Sequence, residues 1–168
     1  MKDGLVKMIS KDDISNNLTV FSRGFSDMPE VRYYTFSYNK EMTGYASISV
    51  DDKNERIHNI LFFPFEDTPE LRGNGIGPAA YFLLLEEIIN KKHAGPPYDI
   101  EQKIKKMTSS SRKMWSKMSI VDNFEKYSKD AIFIIPVIPL KDRVEKFLKN
   151  NGYDVEALVQ NGINSNVS

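Results

Sequence analysis

The six residues Arg72-Gly73-Asn74-Gly75-Ile76-Gly77 stand between a β-rich half of the chain and a strongly helical run. Before them, VRYYTFSY (from Val31) and YASISV (from Tyr45) are rich in β-branched and aromatic residues. Joined by the turn-like NKEMTG, with Asn39 and Gly44, they predict a hairpin. DDKNER makes a second polar turn, and IHNILFFPF follows as a third strand, apolar on both faces and therefore central. Pro64 cannot donate a ladder hydrogen bond, so a bulge or splay is expected near that strand's end. After the glycines, PAAYFLLLEEIINKKH predicts a helix, with proline in its first turn and Lys91 and Lys92 in its last. Its run from Tyr81 to Leu85, with Ile88 and Ile89, is apolar nearly all round and belongs deep in the domain.

The rest of the chain is read more coarsely. Leu5 to Ser10 is expected as a short strand and Ile14 to Phe25 as a helix. Beyond Gly95-Pro96-Pro97, apolar residues recur near a 3.6 period from Ile100 through Met107, Met114, Trp115 and Met118 to Phe124. That predicts one or two amphipathic helices between Asp99 and Tyr127. AIFIIPVIPL is expected as a buried strand, KDRVEKFLKNN as a helix stopped by Gly152, and YDVEALVQ as a last strand. The order predicts a mixed α/β sheet in one domain over residues 1–160. A helical insertion takes up about 93–130, and residues 161–168 are expected as a disordered tail.

Composition excludes several functions. No apolar run approaches the roughly 20 residues that span a bilayer, and the first residues lack the h-region of a secretory signal, so a cytoplasmic location is expected. With no cysteine and two histidines, neither disulfides nor a structural metal site is expected. Lys+Arg and Asp+Glu are 23 each, so no overall field draws nucleic acid or anionic lipid. The balance breaks between Glu101 and Asp122, where Lys103, Lys105, Lys106, Arg112, Lys113 and Lys117 occur without an acid. Such a run reads as a solvated helix face or as a contact for a polyanion, whether a cofactor phosphate or, through Lys103 to Lys117, nucleic acid.

A loop of small residues opening a helix presents unpaired N–H groups and the positive end of the helix dipole, a seat for phosphate. A tight strand-to-helix turn with no ligand is the plainer reading. A dinucleotide fingerprint wants an apolar strand directly before the first glycine, where this chain has Thr68-Pro69-Glu70-Leu71-Arg72. A Walker A loop fails because no Gly-Lys-Ser/Thr follows.

Arg72-x-x-Gly75-x-Gly77 resembles the R/Q-x-x-G-x-G/A pyrophosphate motif of the GNAT acetyltransferases, and PELRGNGIG resembles the approach to that loop. MTGYASI resembles the family's third strand. A second family block, V-x-x-x-N-x-R-A-x-x-L-Y-E-K-L-G-F, aligns without a gap to Val137 through Tyr153, with Val137, Arg143, Gly152 and Tyr153 matching or conservative. The resemblance covers roughly residues 5–92 and 131–159. It implies a mostly antiparallel central sheet flanked by helices. It also implies acetyl-CoA as acyl donor, an amine acceptor of unknown size, and cofactor contacts from Phe65, Glu66, Asp67, Arg72, Gly73, Asn74, Gly75, Ile76 and Gly77.

The resemblance also locates chemistry. An oxyanion donor is implied around Phe65 to Asp67, and a base on the fourth strand falls near Asn59, with His58 beside it. His58, Glu66 and Asp67 are therefore the catalytic candidates, against the structural reading of His58 as a satisfied strand histidine. Pro78 removes an amide that relatives leave free, Lys141 stands at the family's asparagine, and Leu148 stands at its frequent tyrosine. With Leu148 unable to donate a proton, Lys141 and Tyr153 are the neighbouring candidates. The same departures keep open a non-catalytic CoA-binding or protein-interaction module. The 93–130 segment is expected to border the acceptor cleft or a subunit contact, the latter making a homodimer.

Overall fold

The computed structural model describes residues 9–25, 31–90 and 98–164. The strand expected over Leu5 to Ser10 falls mostly outside them. Ser10 itself caps helix α1 (Lys11–Asn17), its hydroxyl accepting the Asp13 N–H at 3.0 Å. The helix expected to run to Phe25 ends at Asn17, and Leu18–Phe25 is strand β1. The alternation of buried Leu18 and Val20 with exposed Phe21 carries period two, which prevails over the helical reading.

Strands β2 (Val31–Tyr38) and β3 (Glu41–Asp51) form the expected hairpin. Its turn is only Asn39-Lys40, both at positive φ (52° and 69°), as a two-residue type I′ connection requires. Gly44 is thereby left inside β3, beside a bulge where the register passes from Phe36↔Gly44 to Ser37↔Met42. Strand β4 (Arg56–Phe63) follows a turn in which the Asp51 carboxylate accepts from the Asn54 N–H at 3.1 Å.

Helix α2 (Ile76–Asn90) crosses the sheet with Phe82, Leu83, Leu84 and Leu85 fully buried. Each such side chain contributes about 1.5–3 kcal/mol relative to exposure. Edge-on rings of Phe36, Phe62 and Tyr81 join β2, β4 and α2, with centroids 5.5 and 5.3 Å apart.

Part of the expected helical insertion is sheet. Strand β5 (Asp99–Lys103) runs parallel to β4, with Ile100 and Gln102 buried. The helix that follows, α3, is confined to Ser109–Lys117, between single 3-10 turns at Ile104–Lys106 and Phe124–Lys126. Strand β6 (Ile132–Pro136) is an edge strand rather than a buried one. Phe133 and Ile135 pack inward while Ile132 and Ile134 stay about half exposed (48% and 50%). Helix α4 (Val137–Asn150) starts earlier than expected, because Pro139 in its first turn forfeits no intrahelical bond. The final segment is helix α5 (Val155–Asn164), not a strand. Asp154 caps it by accepting the Ala157 N–H at 3.0 Å, and Val155 and Leu158 recur at helical spacing on the buried side. The helix takes in residues 161–164 of the expected disordered tail, and the other four tail residues lie outside the described ones.

Among the described residues the sheet has strand order β1-β2-β3-β4-β5-β6, and every neighbouring pair is antiparallel except β4 with β5. The fold is therefore mixed α/β with a mostly antiparallel open sheet.

Gly44 permits a contact that other residues would block: a Cβ there would fall on the Phe63 carbonyl and 2.5 Å from the Pro64 carbonyl carbon. These are backbone atoms and cannot swing away. Gly44→Ala is expected to destabilise the domain by about 2 kcal/mol or more, as for overpacking. Gly73→Ala, with nothing within 4 Å but φ +83°, should lose only the ~1 kcal/mol of a left-handed residue. Denaturant midpoints of the two variants measure the ranking.

Candidate functional site

Strands β4 and β5 are paired only over Arg56↔Asp99, Ile57↔Ile100 and His58↔Glu101. Beyond His58, β4 continues to Phe63 along β3, while β5 continues to Lys103 along β6. Two parallel neighbours thus part, and the later β4 residues have no ladder partner on that side among the described residues. The splay expected near Pro64 begins well before it, directly after His58.

Past Phe63 the chain folds over β3 at Gly44, and the Asp67 N–H donates to the Thr43 carbonyl at 2.9 Å. A 3-10 turn at Pro69–Leu71 leads into the glycine loop, where Gly73 and Gly75 lie at φ +83° and +86°. The Asn74 side chain donates to the Leu71 carbonyl at 3.1 Å and so fixes the loop from within. Tyr153, between α4 and α5, fixes it from outside: its hydroxyl donates to the Gly75 carbonyl at 2.5 Å. Burial pushes this phenol up to about 12, so it remains a donor across the neutral range. The Lys11 ammonium lies 5.4 Å from its ring centroid. Ile76 then opens α2, whose first-turn amides at Ile76, Gly77 and Ala79 have no earlier carbonyl within the helix to bond. Pro78 contributes none.

Between the end of β4 and this loop lies a cleft of about 540 Å³. Phe62 to Glu66 line one side, Arg72, Gly73, Gly75, Gly77 and Pro78 another. A flank of α3 closes it with Thr108, Ser110, Ser111, Lys113, Met114 and Lys117. The floor is aromatic and the rim carries Arg72, Lys113 and Lys117, none of which has an ion-pair partner among the described residues. Glu66 is the one carboxylate among the described lining residues.

The expected site residues are distributed unevenly around this cleft. Phe65, Glu66, Arg72, Gly73, Gly75 and Gly77 line it; Asp67, Asn74, Ile76 and His58 do not. Asp67 gives its amide to Thr43, Asn74 bonds Leu71, and Ile76 is fully buried in the core. His58 alternates with buried Ile57 and so lies on the other sheet face. Its Nδ1 is 2.9 Å from Glu101 Oε2 and its Nε2 3.5 Å from Asp51 Oδ2. Arg56 shares Glu101 at 3.0 Å. Of the remaining candidates, Leu148 is fully buried, Lys141 is bound to Glu86 at 2.9 Å, and Tyr153 lies behind the loop.

Sequence reasoning missed two parts of the site. Gly44, read as a turn residue, is where β3 lets the Phe63–Asp67 segment cross it. Tyr153, read as core or proton donor, is the loop's clamp. Among the described residues no group of three or more His, Asp or Glu side chains is placed to hold a metal, and no helix is long and apolar enough to cross a membrane. Compared with known proteins, the chain matches no family model, no curated protein and no solved structure.

If the Tyr153 hydroxyl is desolvated against the loop, the difference in phenolate absorbance between wild type and Tyr153→Phe should report one group titrating near 12 rather than 10.0. The raised value means that the clamp is intact below pH 10 and is lost as pH rises through about 12. A difference titration centred on the ordinary phenol value would show the hydroxyl to be in water and the loop unclamped.

Proposed function

We propose that this chain binds acyl-CoA in the cleft and transfers the acyl group to an amine acceptor. The observation that supports this best is a glycine loop that opens a buried helix and lines one cleft with the end of β4, a strand that has parted from its parallel neighbour β5. An extended chain laid along the free edge of β4 would find unpaired backbone groups, and a pyrophosphate at the loop would meet the first-turn amides of α2. The aromatic floor suits the apolar part of such a ligand, and the cationic rim suits its phosphates.

Acyl transfer requires a neutral amine and an N–H aimed at the oxygen on which charge develops. Asp67's amide is already engaged with Thr43, which leaves the Phe65 and Glu66 amides, without a partner among the described residues, as the donors. The Glu66 carboxylate lines the cleft and is the group assigned here to take a proton from the acceptor, directly or through a water. The thioester supplies the activated acyl group, and its sulfur leaves as the new amide bond forms.

A second reading is favoured by the same surroundings. With Leu148 in the core, Lys141 salt-bridged and His58 on the other sheet face, Glu66 is the sole acid–base candidate at the cleft among the three named at the outset. Without it, the chain would be a CoA-binding module.

Acetyl-CoA should raise the melting temperature by mass action. Gly75→Asp should abolish that shift, because it puts a carboxylate at the loop and bulk 2.5 Å from the Tyr153 hydroxyl. An undiminished shift would remove the loop from the site. With an amine panel, Glu66→Gln should lower kcat/KM by about 10²–10⁴ at unchanged acetyl-CoA affinity, and His58→Ala should leave the rate intact. Binding without product in wild type would select the module.

A further inference from the structure

The lysine-rich run between Glu101 and Asp122 is divided by the fold into residues with different surroundings. Lys105 faces Asp130 at 3.9 Å, and Arg112 donates to the Met107 carbonyl at 2.9 Å. Lys113 and Lys117, one helical turn apart, line the cleft with Ser110. Their direction is fixed by the opposite side of α3, where Trp115 is buried and stacks toward Phe133 with centroids 6.0 Å apart. Arg143 holds the end of this segment through the Ser119 carbonyl at 2.6 Å. Two like charges at this spacing repel by a few tenths of a kcal/mol, and no acid among the described residues pairs with either. Across the cleft stands Arg72, likewise unpaired, beside the glycine loop.

We propose that Lys113 and Lys117, with the Ser110 and Ser111 hydroxyls, form a second phosphate-binding wall facing the glycine loop, so that α3 grips the polyanionic end of the ligand. This rests on the acyl-CoA reading of the cleft and deepens it by giving the segment between β5 and β6 a task in cofactor recognition. The phosphate gripped is either the pyrophosphate or the 3′-phosphate of the nucleotide. A recessed cleft walled on both sides suits a small polyanion rather than a nucleic-acid strand.

The test is calorimetric titration of wild type, Lys113→Ala/Lys117→Ala, and Lys105→Ala/Lys106→Ala, a control with the same change in net charge. Each protein is titrated with acetyl-CoA, 3′-dephospho-acetyl-CoA and inorganic pyrophosphate. Acetyl-CoA affinity should fall about 10-fold per lysine in the first variant, as for charge-assisted hydrogen bonds, and stay near wild type in the control. If the loss disappears with the dephospho compound, the wall holds the 3′-phosphate; if it persists, the wall holds the pyrophosphate. Equal affinity in all three proteins, or equal losses in both variants, would overturn the wall while leaving the acyl-CoA reading standing. Lysine-dependent pyrophosphate binding without acetyl-CoA binding would sink that reading and keep the wall. Displacement of pyrophosphate by a single-stranded oligonucleotide at equal phosphate concentration would overturn the small-ligand assignment. Melting temperatures near wild type, expected for exposed lysines, confirm that both variants are folded.

Discussion

The free edge of β4 beside the cleft depends on how little of that strand is paired with β5. Three residue pairs hold the two parallel strands together, and at that end charged side chains reinforce the ladder. Arg56 and His58 of β4 meet Glu101 of β5, His58 also meets Asp51 of β3, and Arg56 approaches Asp99 at 3.9 Å. The Asp51 carboxyl is held below its usual range, first by its hydrogen bonds from Asn54 and then by His58. A network spanning three strands fixes their spacing at one end, while Gly44 and the Phe63–Asp67 crossing fix β4 against β3 at the other. Strand β5, held only at the first end, follows β6 away. His58 is thus better understood as a pin at the closed end of the fork than as a group at its open end.

The sequence made the parts from Val31 to Asn90 legible because each carried its own local signal. Runs rich in β-branched and aromatic residues marked β2 and β3, a continuous apolar run marked β4, and the glycines and the all-round apolar Tyr81–Leu85 marked α2. The errors fell where one pattern serves two structures. In β5, Ile100 and Gln102 are buried at spacing two, but Ile100 and Ile104 also satisfy a helical spacing. Only the pairing with Arg56–His58, far away in sequence, decides between them. YDVEALVQ has strand-like valines, yet its cap at Asp154 and the anchoring of the Asp154 N–H on Ser15 at 3.1 Å favour a helix. Gly44 carried no readable signal, because the need for glycine there comes from a backbone segment some twenty residues later.

The segment after β5 shows how one stretch can be both core and site. Met107, Met114, Trp115, Met118 and Val121 are all buried, as the plainer reading of their spacing expects. Burying that side obliges the other to face outward, and the fold turns one flank of it over the glycine loop. The Sδ of Met114 would lie 3.8 Å from a Cβ on Gly77, so the helix comes down on the start of α2 itself. A segment that looked like an addition to the domain therefore shapes both its hydrophobic core and the wall of its cleft.

Tyr153 bears on what chemistry the cleft can perform. The phenol that contacts the loop among the described residues, Tyr153, donates its hydrogen to the Gly75 carbonyl and does not line the cleft. A hydroxyl engaged in this way cannot also protonate a leaving sulfur, and burial holds its proton until about pH 12. Position 148, where the resemblance puts a phenol, carries a leucine in the core. On the proposed acyl-CoA reading, a thiolate released in this cleft would find no phenol among the described lining residues to protonate it. On that reading the sulfur would leave as the thiolate, and proton removal from the amine would fall to Glu66, the carboxylate among the described lining residues.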